Sequence, residues 1–204
     1  MLERERAEQH IRRRLFSTTE PLSEVEIAKD LGGSRTSARE AMAGFCARGL
    51  LVKNAGAPSQ ISVSLQDAQD ALDLKTVLLK RTIRKSIDNE VKKMGEAEDH
   101  LIDAEKAGIA HDVAGHLISI GNAQMRLVEL TSGTVPSALM RTLIDGVYCY
   151  TSRGTWEPVD FEEHTAIHND LLSNIKKGNE IDALQAGEEI TLFDRSKINT
   201  LQKF

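Results

Sequence analysis

The 204-residue sequence predicts a mainly α protein in two parts: a head of short helices with one small β-hairpin, then an all-α bundle of about six helices. Three observations carry this prediction. Gly32-Gly33 separates two short amphipathic stretches. Two runs of β-forming residues follow, Leu50-Leu51-Val52 and Ile61-Ser62-Val63-Ser64-Leu65. From Leu65 onward apolar residues keep a helical period, proline falls only at Pro136 and Pro158, and Gly95, Gly108, Gly133 and Gly178 punctuate the pattern. Apolar and charged fractions of 40% and 28% are those of an ordinary globular chain, and the length suffices for one large or two small cores.

In the head, Glu3 to Leu15 reads as a first helix whose Ile11 and Leu15 cover a core, with Arg12, Arg13 and Arg14 left for outside contacts. Ser23 and Glu26 have the spacing of a capping box opening a second helix, with Val25, Ile27, Ala28 and Leu31 on its apolar side. Gly32 and Gly33 supply the positive φ of a tight turn, and Ser34 is an N-cap for a third helix of about a dozen residues. Ala38, Ala41, Met42 and Phe45 face inward on that helix, leaving Arg35, Thr36, Arg39 and Glu40 outward near its N-terminus. Gly49 ends it. The two strands and the turn Lys53 to Pro58 complete a hairpin, so the head, residues 1–64, is a winged helix-turn-helix.

Such a head suits a DNA groove. The N-terminal end of a recognition helix reaches base edges, and an arginine fork matches the two acceptors of guanine. Ser34, Arg35, Thr36, Ser37 and Arg39 are the candidate contacts, joined by Lys53 and Asn54 at the wing tip. Charge agrees weakly: residues 1–62 hold 10 basic and 8 acidic side chains, whereas the rest carries a net charge of -7. No run approaches a membrane span and no leader precedes a cleavage site, so a cytoplasmic location is expected. Cys46 and Cys149 lie far apart in helical patterns and are expected to be reduced.

In the bundle, residues 65–204, Leu72, Leu79, Ile83, Ile87, Val91 and Met94 predict one long helix stopping at Gly95. Further helices are predicted around 97–107, 110–131, 136–152, 159–176 and 180–198. His164 and His168, spaced with Phe161, Leu171 and Ile175, face the interior, either as packed core histidines or as a metal clamp.

The head resembles the GntR family of bacterial transcription regulators. The resemblance rests on Leu22, Glu24, Ile27-Ala28, Leu31-Gly32, Ser34-Arg35-Thr36, Arg39-Glu40-Ala41 and Gly49-Leu50. Ala43 and Gly44 stand where relatives often carry basic residues, and the wing tip lacks an arginine. The bundle resembles the helical ligand-sensing domain of the FadR-type branch, so the resemblance implies effector binding and dimerisation there. In many relatives that domain holds a divalent metal through one Asp and three His, and the metal holds a small carboxylate.

The chain matches that ligand set in two registers. Asp112-x-x-x-His116 has the internal spacing and would join His168, or His164 and His168, in a hybrid metal site. Counting from Lys75 and from Thr131-Ser132-Gly133 instead places Asn122 and Arg126 at the family's Asp and first His, and Ile190 at the last His. The set is then incomplete and no cofactor is expected. Arg126 would offer a fixed positive charge to an anionic effector, beside Asn122, Tyr148, His164 and His168. The metal-free founder type likewise carries Arg there and a Gly-x-Tyr segment resembling Gly146-Val147-Tyr148. Arg141, Tyr150 and Arg153 are further candidate donors.

The expected function is therefore a homodimeric, DNA-binding regulator, a repressor by preference. Its effector would be a small carboxylate or acyl thioester. The alternative is a metal-dependent small hydrolase on Asp112, His116, His164 and His168. The sequence has no Gly-x-Ser-x-Gly, no His-Glu-x-x-His and no phosphate-cradling glycine loop, so it is not expected to be an enzyme. An effector-free architectural DNA binder would not need so large a second part.

Overall fold

Helical periodicity in the head becomes three helices around one small core. The computed structural model describes residues 3–53 and 58–201. Ala7, Ile11 and Leu15 are buried along α1 (Glu3–Leu15), which packs on α2 (Glu24–Leu31) and α3 (Arg35–Ala47). Phe45 lies at the centre of this core with no exposure, worth roughly 1.5 to 3 kcal/mol for such a side chain. Ser23 caps α2, but its hydroxyl accepts the Val25 amide at 3.3 Å, one residue short of the capping-box partner Glu26. Gly32 closes α2 at φ 58°, and Ser34 opens α3 by accepting the Ser37 amide at 3.1 Å. At the far end Gly49 takes φ 73°, while the Gly49 and Leu50 amides donate back to Cys46 and Phe45, the double bond of a Schellman ending.

The wing is smaller than the sequence predicts. β1 (Leu51–Val52) pairs antiparallel with β2 (Gln60–Ile61), in register Leu51 with Ile61 and Val52 with Gln60. Val63 is buried outside the ladder and Leu65 already belongs to the next helix. The physical reason is the partner strand: Gly49 turns the chain out of α3 just before Leu51, so few ladder groups remain. Ser62 instead donates its amide to Leu50 and its hydroxyl to Gly49. A bridge between Leu22 and Ser59 ties the start of α2 to the hairpin.

A second unit begins at Leu65. It consists of α4 (Leu65–Asp88), α5 (Gly95–Ile109), α6 (Val113–Thr131), α7 (Thr134–Thr151), α8 (Pro158–Lys177) and α9 (Glu180–Thr200). The long helix stops at Asp88, not at Gly95. Glu90 turns at φ 49° and the Val91 amide donates back to Ser86. Met94 then stays buried as the residue before α5, and Gly95 starts that helix. α4 packs beside α7 and α9, α5 beside α6 and α8, and α8 pairs with α9.

Close approach explains two glycines. A Cβ on Gly108 would meet the Phe161 Cβ at 2.8 Å, and one on Gly121 the Ile144 Cγ2 at 2.9 Å. Cys46 and Cys149 are free thiols, and burial pushes that of Cys149 up to about 11, which keeps it protonated and unreactive. Among the described residues no helix is long and apolar enough to cross a membrane.

Candidate nucleic-acid interface and a buried polar core

On the head, the N-terminal half of α3 presents Arg35, Thr36, Arg39 and Glu40 as exposed side chains, because Ala38, Ala41, Met42 and Phe45 occupy the inner face. Ser34 and Ser37 have internal duties. Their hydroxyls lie 2.9 Å apart, and Ser37 donates onward to Glu3 of α1 at 3.0 Å. Arg39 donates its Nε to Glu24 Oε2 at 3.1 Å, and Lys53 donates its Nζ to Glu24 Oε1 at 3.1 Å. Asn54, the other expected wing contact, lies outside the described residues. In the sequence Glu24 figured only among the residues that carry the GntR resemblance, with no role assigned to it.

Inside the helical unit a chain of polar groups crosses the core. His116 Nδ1 lies 3.0 Å from the Ala104 carbonyl, which can only accept, so Nδ1 carries the proton. His116 Nε2 then accepts from His164 Nδ1 at 3.1 Å. His168 Nδ1 donates to the His164 carbonyl at 2.7 Å, and its Nε2 accepts from the Gln124 amide, also at 2.7 Å. Gln124 donates as well to the Tyr148 hydroxyl at 3.0 Å. Beside this chain lies an ion pair, Lys75 Nζ to Asp194 Oδ2 at 2.7 Å, with side chains 1% and 2% exposed. Asp194 Oδ1 stands 3.7 Å from His164 Nε2, beyond hydrogen-bond reach. Both His164 Nε2 and Gln124 Oε1 are buried acceptors without a partner among the described residues. Trp156, Phe161 and Phe193 wall the histidines, Phe193 stacking on His164 with ring centroids 4.5 Å apart.

Burial dominates the electrostatics. It disfavours the imidazolium, lowering His116 to about 4, His168 to about 3, and His164 well below the ordinary value. The Asp194 carboxyl is raised, burial outweighing the pull of Lys75.

Of the sequence-predicted pocket residues, Tyr148, His164 and His168 come together here, with His116 added. Asn122 and Arg126 do not. α6 turns Leu117, Ile120, Gln124 and Val128 inward, so Asn122 and Arg126 share the opposite face. Arg126 is 46% exposed and ion-paired with Glu96 and Glu129, beside a surface groove of about 450 Å³. Asn122 accepts from Arg141 at 3.1 Å. Arg153 lies over the Tyr150 ring, 5.4 Å from its centroid. An anion anchor at Arg126 inside the bundle is thus corrected to a surface arginine.

The hybrid metal set is corrected too. Asp112 caps α6, accepting the Gly115 amide at 2.9 Å. The Nε2 lone pairs of His116 and His168 are taken by hydrogen bonds, and Ile190 is an apolar core residue. Among the described residues no three His, Cys, Asp or Glu side chains are grouped so as to hold a metal ion.

Sequence reasoning missed Lys75, Gln124 and Asp194. The signal was present: each interrupts an apolar stripe, Lys75 between Leu72 and Leu79, Gln124 between Ile120 and Val128, Asp194 between Ile190 and Ile198.

A winged helix followed in sequence by a six-helix bundle is a fold shared with solved structures that include a GntR transcriptional regulator. The structure superposes on E. coli McbR/YncC with a TM-score of 0.80, at 14% identity over 99% of each chain. A GntR transcriptional regulator from Rhodococcus sp. RHA1 gives 0.77 at 16% identity, covering 98% of this chain and 96% of that one. Lar of Listeria monocytogenes, which controls expression of the agr system there, gives 0.65 at 11% identity over 98% of each chain. No protein-family model matches the sequence, and no curated protein matches it.

Proposed function

We propose that the protein is a GntR-family transcription regulator that binds operator DNA through its head as a homodimer and senses a small anionic ligand in its helical unit. The observation that carries the DNA reading is the exposed Arg35, Thr36 and Arg39 on the first turns of a well-capped α3. Helix N-termini in this docking mode meet base edges. One winged helix makes few contacts, whereas two copies on adjacent half-sites combine their specificity, which is the argument for a dimer on a palindrome. Operator binding sets the working location to the cytoplasm, and repression is the simpler outcome of a dimer that competes for promoter DNA.

Ligand sensing rests on the polar core. Lys75 is a buried cation held by one internal carboxylate, so a ligand carboxylate can replace Asp194 without a metal. The unpartnered acceptors His164 Nε2 and Gln124 Oε1 would receive hydroxyl or amide donors of the same ligand. A hydroxy acid fits this set better than a plain fatty acyl chain. Among the described residues the hydrolase reading has no converging metal ligands to rest on.

The test is selection from a randomised duplex library, followed by affinity measurement on the enriched sequence. Arg35→Ala and Arg39→Ala should each weaken binding about 5- to 150-fold, the range of one bidentate base contact. If both variants bind the enriched duplex like wild type, the recognition-helix assignment is wrong.

A further inference from the structure

Glu24 sits at the first position of α2, yet among the described residues its carboxylate binds neither its own helix nor α3's backbone. It accepts from two cations that arrive from different elements, Arg39 of α3 and Lys53 next to β1, one on each oxygen and both at 3.1 Å. The Glu24 side chain is only 19% exposed, while both partners stand largely in solvent. A half-buried anion therefore holds two exposed, rotamer-rich cations, Arg39 at Nε and Lys53 at its terminal ammonium.

We infer that Glu24 is a positioning residue for base readout: it grips Arg39 through Nε, so that the two terminal guanidinium nitrogens are presented as a fork, and it ties the wing cation Lys53 to the same point. This rests on the DNA-binding reading above. The chemistry is specific. A guanidinium held at Nε still has two terminal nitrogens whose parallel N–H groups match guanine O6 and N7. Holding the arginine beforehand removes the ordering cost at the moment of binding. The same carboxylate is electrostatically unfavourable near phosphates. Glu24 thus trades general affinity for discrimination, the opposite of what a merely stabilising ion pair would do.

The experiment uses the full chain and randomised duplex DNA, with wild type, Glu24→Ala, Glu24→Gln and Arg39→Ala selected in parallel. Each is then measured on the wild-type-enriched duplex and a scrambled one by fluorescence anisotropy. Arg39→Ala identifies the base that Arg39 reads. Glu24→Ala should lose preference at that same base by about tenfold, within the range of one bidentate contact, while binding scrambled DNA as tightly as wild type or tighter. Glu24→Gln, which keeps one acceptor, should retain more of the preference than Glu24→Ala. Unchanged base preference in Glu24→Ala overturns the inference. So does equal loss on both duplexes together with a lower unfolding midpoint, which would mark a purely structural residue. A wild-type pool without any enriched motif overturns the DNA-binding reading itself, and the inference falls with it.

Discussion

Lys75→Met is the sharpest test of the polar core. Methionine keeps an unbranched apolar stem of similar length and removes only the ammonium. Asp194 is then left 2% exposed with its 2.7 Å partner gone. The nearest imidazole nitrogen, His164 Nε2, is 3.7 Å away, and burial keeps that ring neutral, so it supplies no compensating charge. Breaking one side of such a pair costs about 3 to 5 kcal/mol, because a buried charge is left uncompensated or must be neutralised by taking up a proton. For a unit of this size roughly 3 °C accompanies each kcal/mol, so the midpoint should fall on the order of 10 to 15 °C.

Trp156, the single tryptophan, makes the assay local. It lies in the helical unit against His116, Phe161, His164 and Phe193, so its fluorescence follows that unit and not the head. The double variant Lys75→Met/Asp194→Leu separates charge from packing. Replacing both ions with apolar groups is often neutral or stabilising by about 1 to 4 kcal/mol, so most of the lost stability should return. A Lys75→Met midpoint within about 1 kcal/mol of wild type would refute the reasoning, since a loss of that size belongs to exposed pairs.

Acid should weaken the same unit. His116 and His168 are held at about 4 and about 3 by burial, whereas an unfolded chain titrates near 6.5, so stability is complete above that value and is lost as pH falls. At pH 5 each histidine costs about 2 kcal/mol, and a Trp156-monitored urea midpoint that does not move between pH 7 and 5 would refute their burial. Asp112→Ala should destabilise by about 1 kcal/mol through loss of the α6 cap; a metal content by plasma mass spectrometry that depended on Asp112 would contradict this capping role. Gly108→Ala should cost about 1 to 3 kcal/mol by driving a methyl into Phe161, and a midpoint equal to wild type would show that α5 and α8 are not in contact there.

Local chemistry made the head legible. Gly32, Ser34 and Gly49 serve as turn, cap and helix end, with Gly32 and Gly49 at positive φ, whereas Gly33, expected to share that conformation, does not adopt it. Helices of the second unit were legible from period alone, with the exception of the stretch after Asp88. There the apolar spacing of Val91 and Met94 continued the stripe although Asn89-Glu90 had already turned the chain. Periodicity reports which side chains want burial, and Met94 is buried; it does not report whether the backbone between them stays helical.

The candidate pocket was harder for a different reason. Positions on α6 were assigned by counting from landmarks, and a helix rotates 100° per residue, so an error of two positions moves a side chain to the opposite face. Arg126 and Gln124 are such a pair: Gln124 reaches His168 inside, Arg126 reaches Glu96 and Glu129 outside. Lys75 and Asp194 lie 119 positions apart, and only the packing of α9 on α4 makes them partners.

That pairing bears on how a ligand could act. A buried ion pair adds little net stability over an apolar core, so its presence is poor support for a purely structural purpose. Lys75 belongs to α4, which begins directly after the head in sequence, and Asp194 to α9. A ligand carboxylate that takes Lys75 must displace Asp194, and a displaced Asp194 must leave the core or gain a proton. Either event changes the α4–α9 packing, giving two states with different affinities for the ligand, which is what allosteric control requires. Asp194→Asn should then bind carboxylates more tightly than wild type, because the internal competitor has lost its charge. Thermal shifts with a panel of short hydroxy acids would check this, and a stabilisation no larger than that of wild type across the whole panel would count against Lys75 as the anion anchor.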